Sequence, residues 1–117
     1  MAVELSPPEG LEHLGEFQDQ LRGVLGALGL EAVQDMVLAG ATAAWAAFLG
    51  AGGQGLSLSL LRAGPQLILE LSCQGTGQGA APAGLDPALF RPPALKAQWI
   101  PGNRPGGQAR FSLVWEV

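Results

Sequence analysis

Cysteine occurs once among the 117 residues, at Cys73, so no disulfide can close within the chain. Histidine also occurs once, at His13. One imidazole and one thiol far apart in sequence make no ligand cluster, and no metal site is expected. Charge is scarce: Asp, Glu, Lys and Arg make up 14% of the residues, against roughly 25% in an ordinary soluble domain. With hydrophobic residues at 48%, that balance excludes intrinsic disorder and leaves apolar surface for a partner or a second copy. No concentrated Lys/Arg stripe is present. The acids Glu4, Glu9, Glu12, Glu16, Asp19, Glu31 and Asp35 crowd the first third, opposed there only by Arg22, and the remainder is mildly basic. This pattern argues against a nucleic-acid footprint. The opening residues show no charged n-region followed by an apolar h-region, so a cytoplasmic location is expected. The uncharged run from Met36 to Leu61 is broken by Gly50, Gly52, Gly53 and Gly55, which reads as a buried helix and a turn rather than a membrane span.

What is present reads as one domain over residues 1–117, a length that can bury a real core. Ala2 to Leu5 alternates and is closed by Ser6-Pro7-Pro8, which predicts an edge strand. Leu11, Leu14, Phe17, Leu21, Leu25 and Leu28 recur at spacings of three and four, predicting a helix with Glu12, Glu16, Asp19 and Arg22 facing water and Gly29 ending it. Glu31 to Leu49 predicts a second helix, charged only in its first turns and apolar on every side beyond Asp35. Leu56, Leu58 and Leu60 alternate with Ser57 and Ser59, and Leu67 to Leu71 forms the partner strand of a hairpin. Residues 74–93 are rich in Gly, Ala and Pro and predict a long loop with at most one short helical turn near Asp86 to Phe90. Leu95 to Ile100 and Arg110 to Val117 predict a closing hairpin. The expected fold is an α/β two-layer sandwich: a mainly antiparallel mixed sheet with helices packed on one face.

In order and local phrasing this resembles the GHKL, or Bergerat-type, ATPase domain, especially the bacterial anti-sigma-factor kinases and the catalytic domains of histidine kinases. LEHLGEFQDQLRGVLGALGL is similar to the first helix of the anti-sigma group, QDMVLAGATAAWAAFLGA to the helix that carries the N box, GLSLSLLRAGPQLILELSCQGTG to the hairpin entering the G1 box, and PGGQARFSLVW to the closing hairpin. The resemblance places Thr42 where the family has its N-box Glu, Ala46 where the Mg-holding Asn stands, and Cys73 where the G1 Asp accepts the adenine amino proton. Gly75 and Gly77 of the G1 pattern are retained, and no second glycine box follows residue 84. Alanine offers no ligand oxygen and a threonine hydroxyl is no base at neutral pH, so the resemblance implies a vestigial pocket at Thr42, Ala46, Cys73, Gly75 and Gly77 that binds no cofactor. Trp45, beside Ala46, is expected to fill the volume that adenine would occupy.

The function expected from these readings is that of a catalytically inactive GHKL-like domain, a protein-binding regulator or adaptor in bacterial signalling. Glu12, Glu16 and Asp19 are the candidate docking residues. The partner would be a sigma factor, an anti-sigma antagonist, a response regulator or a kinase, and homodimerisation is reasonable; neither nucleic acid nor membrane is expected. The alternatives are an atypical ATP-binding serine kinase of the anti-sigma group and a histidine phosphotransfer protein using His13. Gln74 to Ala80 lacks the Lys and Ser/Thr that would complete a phosphate loop. Cys73 reads as an inert thiol.

Overall fold

Two glycine-ended helices and four hairpin-forming strands follow the opening strand. The computed structural model describes residues 2–74, 81–102 and 108–117. Strand β1 spans Ala2–Leu5, helix α1 Leu14–Ala27, helix α2 Gln34–Gly50, and strands β2 to β5 span Gln54–Ala63, Gln66–Gln74, Lys96–Ile100 and Ala109–Glu116. Single 3-10 turns lead into both helices, at Leu11–His13 and Glu31–Val33. Both helices end alike. Gly29 (φ 72°) lets the Leu30 N–H reach the Leu25 carbonyl, and Gly52 (φ 83°) lets the Gly53 N–H reach that of Phe48, each at 2.8 Å. These are six-to-one closures that satisfy carbonyls the last turn leaves open, and only glycine adopts the angle without strain.

The sheet order is β1-β2-β3-β5-β4. The sequence-based expectation of a mixed sheet is corrected, since every neighbouring pair is antiparallel. The physical reason lies in the connections. The β2–β3 link has only Gly64 and Pro65, far too few residues for a parallel crossover, and Gly64 takes the positive φ (58°) such a tight turn needs. After β3 the chain passes to the far edge, and β5 then returns between β3 and β4.

Alternation divides the sheet into two faces. One register row carries Val3, Leu60, Leu69, Leu113 and Ala97 inward, and the next carries Leu5, Leu58, Leu71, Phe111 and Trp99. The row between, Glu4, Ser59, Glu70, Ser112 and Gln98, points the other way, where Glu70 meets Arg110 at 3.8 Å. Both helices cover the leucine face. Phe17, Leu21 and Leu25 of α1 and Val37, Ala41, Trp45 and Phe48 of α2 are fully buried, and no polar side chain is buried among the described residues. The radius of gyration is 13.3 Å, which matches about 13.4 Å for a compact domain of this length. Glu31–Gly50 is long and apolar enough to cross a bilayer by length and composition, and one side of it lies on this core.

Candidate functional site

Helix α2 is apolar all round, so packing one stripe on the sheet leaves other apolar faces to be used. Successive residues turn by about 100°, which sends Ala41 and Phe48 to the sheet, Thr42 to one flank, and Met36, Ala39, Gly40 and Ala43 to the opposite flank. That second flank forms one wall of a cleft of about 580 Å³. The other walls are Gly84, Leu89, Phe90 and Pro93 from the connection between β3 and β4, and Trp115 of β5.

Local contacts hold these walls in place. Among its described residues the β3–β4 connection makes two 3-10 turns, Ala83–Leu85 and Pro87–Phe90, where at most one was expected. Asp86 starts the second: its Oδ1 accepts the Ala88 N–H at 3.0 Å and its carbonyl accepts the Leu89 N–H at 2.9 Å. Leu85 is buried, and the Phe90 ring lies 4.8 Å from that of Phe111, which ties the segment to the sheet. Glycine sets two close approaches. A Cβ on Gly40 would stand 2.8 Å from Cζ2 of Trp115, and one on Gly84 would stand 2.8 Å from the Cβ of Ala47.

The chemistry of the cleft follows from its lining. None of the nine residues is ionisable, and none carries a side-chain oxygen. Mg-ATP needs oxygen ligands for the cation and a carboxylate or comparable base for turnover. The side chains of these walls offer neither, so the lining does not fit that cofactor.

The residues singled out in the sequence lie elsewhere. Thr42 faces α1, where its hydroxyl accepts from Gln18 Nε2 at 3.5 Å, and half-buried Ala46 is four residues further along the same side of the helix. Cys73 is fully buried within β3, with its Sγ 3.3 Å from the place a Cβ on Gly53 would occupy. None of the three lines the cleft. Gly75 and Gly77 lie outside the described residues. Trp45 does not line the cleft either. Its ring stacks on Phe17 at 4.7 Å and 13°, and its indole N–H donates to the Pro8 carbonyl at 2.8 Å. Trp45 thus fills the seam between the two helices and ties down the turn before α1. The only sequence signal for the lining of this cleft is the run of small residues at positions 39, 40 and 43, of which Ala39 and Ala43 are exposed and Gly40 is half-buried.

A second surface lies at the start of α1. Glu12, Glu16 and Asp19 are exposed, as are Leu11 (56%), just before them, and Leu14 (40%), between Glu12 and Glu16. Arg22 pairs with Asp19 at 3.0 Å, and His13 stands 3.7 Å from Glu12 and 3.6 Å from Glu16. A phosphoryl anion approaching His13 would therefore meet two carboxylates. The surface continues into a shallow depression of about 700 Å³ lined by Glu9, Gly10, Leu49 and Gly52 to Gly55, where Glu9 Oε1 accepts the Gly55 N–H at 2.8 Å. Among the described residues no group of three His, Cys, Asp or Glu side chains could hold a metal ion. No family model matches the chain, and no curated protein matches it.

Proposed function

We propose that this chain is a catalytically inactive GHKL-like domain that works in the cytoplasm by binding another protein, as a small regulator or adaptor in bacterial signalling. The observation that carries the reading is the composition of the α1 surface: two exposed leucines, Leu11 and Leu14, flanked by Glu12 and Glu16. Leucine burial supplies affinity, and the carboxylates steer a basic partner into register. A sigma factor, an anti-sigma antagonist, a response regulator or a kinase with a basic patch would fit, as would a second copy. Asp19 contributes less to that steering, because Arg22 already neutralises it. The absence of any side-chain oxygen or ionisable group from the lining of the α2 cleft supports the reading that this chain does not turn over ATP.

The test is affinity capture from a bacterial lysate with three baits: the parent chain, Leu11→Ser/Leu14→Ser, and Glu12→Lys/Glu16→Lys. The reading expects one signalling protein retained by the parent and lost from both variants, with far-ultraviolet circular dichroism unchanged. Equal retention by all three baits would remove α1 as the docking face. Phosphate transfer or ATP hydrolysis by the purified chain would overturn the inactive reading.

A further inference from the structure

We infer that the cleft beside α2 is a binding site for an uncharged, largely apolar small molecule that carries a single hydrogen-bond acceptor. The inference stands independently of the docking face on α1. Its volume, about 580 Å³, lies within the roughly 300–1,000 Å³ of small-molecule sites. Charge on the ligand is excluded by the lining, because Met36, Ala39, Gly40, Ala43, Leu89 and Phe90 offer no counter-ion, and an unpaired charge would lose its hydration there.

The acceptor is called for by Trp115. Its indole is 1% exposed, and its N–H takes part in no hydrogen bond among the described residues. No fully buried side-chain nitrogen or oxygen among those residues lacks a partner, so this nitrogen is not wholly sealed within the core. Trp115 lines the cleft, and its Cζ2, two bonds from the indole nitrogen, stands against Gly40 on the same wall. A donor at the edge of an apolar cleft gains from an acceptor, and a ligand carbonyl or ether would supply one. Leu89 stands at the rim with 66% of its surface exposed, where a bound ligand would cover it.

The test uses Prodan, an uncharged naphthyl ketone dye, titrated into the full chain. Saturable blue-shifted emission at one dye per chain is expected. Ala43→Phe, on the exposed side of α2, should weaken binding about tenfold or more by filling the cleft, and Leu89→Ser should weaken it by roughly tenfold. Leu61→Ser, on the opposite face of the sheet, should leave binding unchanged. Four results would overturn the inference: no saturable signal, an undiminished signal in folded Ala43→Phe together with Leu89→Ser, equal loss in Leu61→Ser, or displacement of the dye by Mg-ATP. A dimer in sedimentation that Ala43→Phe dissociates would assign the cleft to a second copy and overturn it as well.

Discussion

Replacing Gly40 by alanine sets two opposed effects of similar size against each other. Within a helix, Gly→Ala is worth about 1 kcal/mol of stability through backbone entropy. At Gly40 the added methyl would stand 2.8 Å from Cζ2 and 3.6 Å from Cη2 of Trp115, and 3.5 Å from Cδ1 of Leu113. Carbon atoms rest at about 3.5–4.0 Å, so the first contact is too short by roughly 0.7 Å or more. The obstacle is a rigid indole with almost no exposed surface, and it cannot swing aside as the end of a lysine could. Overpacking of this kind costs about 1–3 kcal/mol, which outweighs the helix gain. Gly40→Ala is therefore expected to lose about 1 kcal/mol net. Gly23→Ala is the internal reference, because Gly23 lies exposed within α1 and a Cβ there meets nothing within 4 Å. It should gain about 0.5–1 kcal/mol. The two variants then differ by roughly 2 kcal/mol, or about 8 °C in Tm for a domain of this size. Urea and thermal unfolding followed by tryptophan fluorescence would measure both. Equal stabilisation by the two alanines would refute the claim that Gly40 is held small by the Trp115 ring.

Other consequences can be checked with the same protein. Trp45→Phe removes the donor to the Pro8 carbonyl and should lower stability by about 1–2 kcal/mol, with proteolysis between Leu5 and Gly10 accelerated. Arg62 donates from Nη1 to the Leu28 carbonyl at 2.8 Å, at the C-terminal end of α1; Arg62→Met should cost about 1 kcal/mol in urea unfolding, and an unchanged midpoint would discount that contact. The Cys73 thiol should react with a disulfide reagent only at the rate of native-state opening, because it is fully buried, and rapid labelling of folded protein would contradict its position. Mg-ATP should leave Tm unchanged. A ligand at a hundred times its Kd would add about 2.7 kcal/mol, an effect that a thermal melt could not miss.

The local punctuation of the fold was readable residue by residue. Gly29 as the stop of α1, the leucine alternation of β2, the Gly64-Pro65 turn and the β4–β5 hairpin each follow from a short-range rule, because φ sign, side-chain period and turn length are properties of a few neighbouring residues. The 3-10 turn at Ala83–Leu85 was not readable in this way. It is held by Leu85 in the core and by the approach of Gly84 to Ala47, contacts that join distant parts of the chain.

The site was far less legible, for a specific reason. A helix with a polar face announces which side packs inward, whereas α2 is apolar in every direction beyond Asp35, so its period carries no information about rotation. Thr42 and Ala46 were placed by the family resemblance, a linear pattern that says nothing of rotation. The rotation was set by Trp45 stacking on Phe17 and by Gly40 admitting the Trp115 ring, and these turned positions 39, 40 and 43 to the cleft. Composition and periodicity by themselves therefore determined the elements, their order and the poverty of charge along α2. Tertiary packing decided which flank of that helix faces the open cleft, and it placed β5 between β3 and β4, because both depend on contacts between residues far apart in the chain.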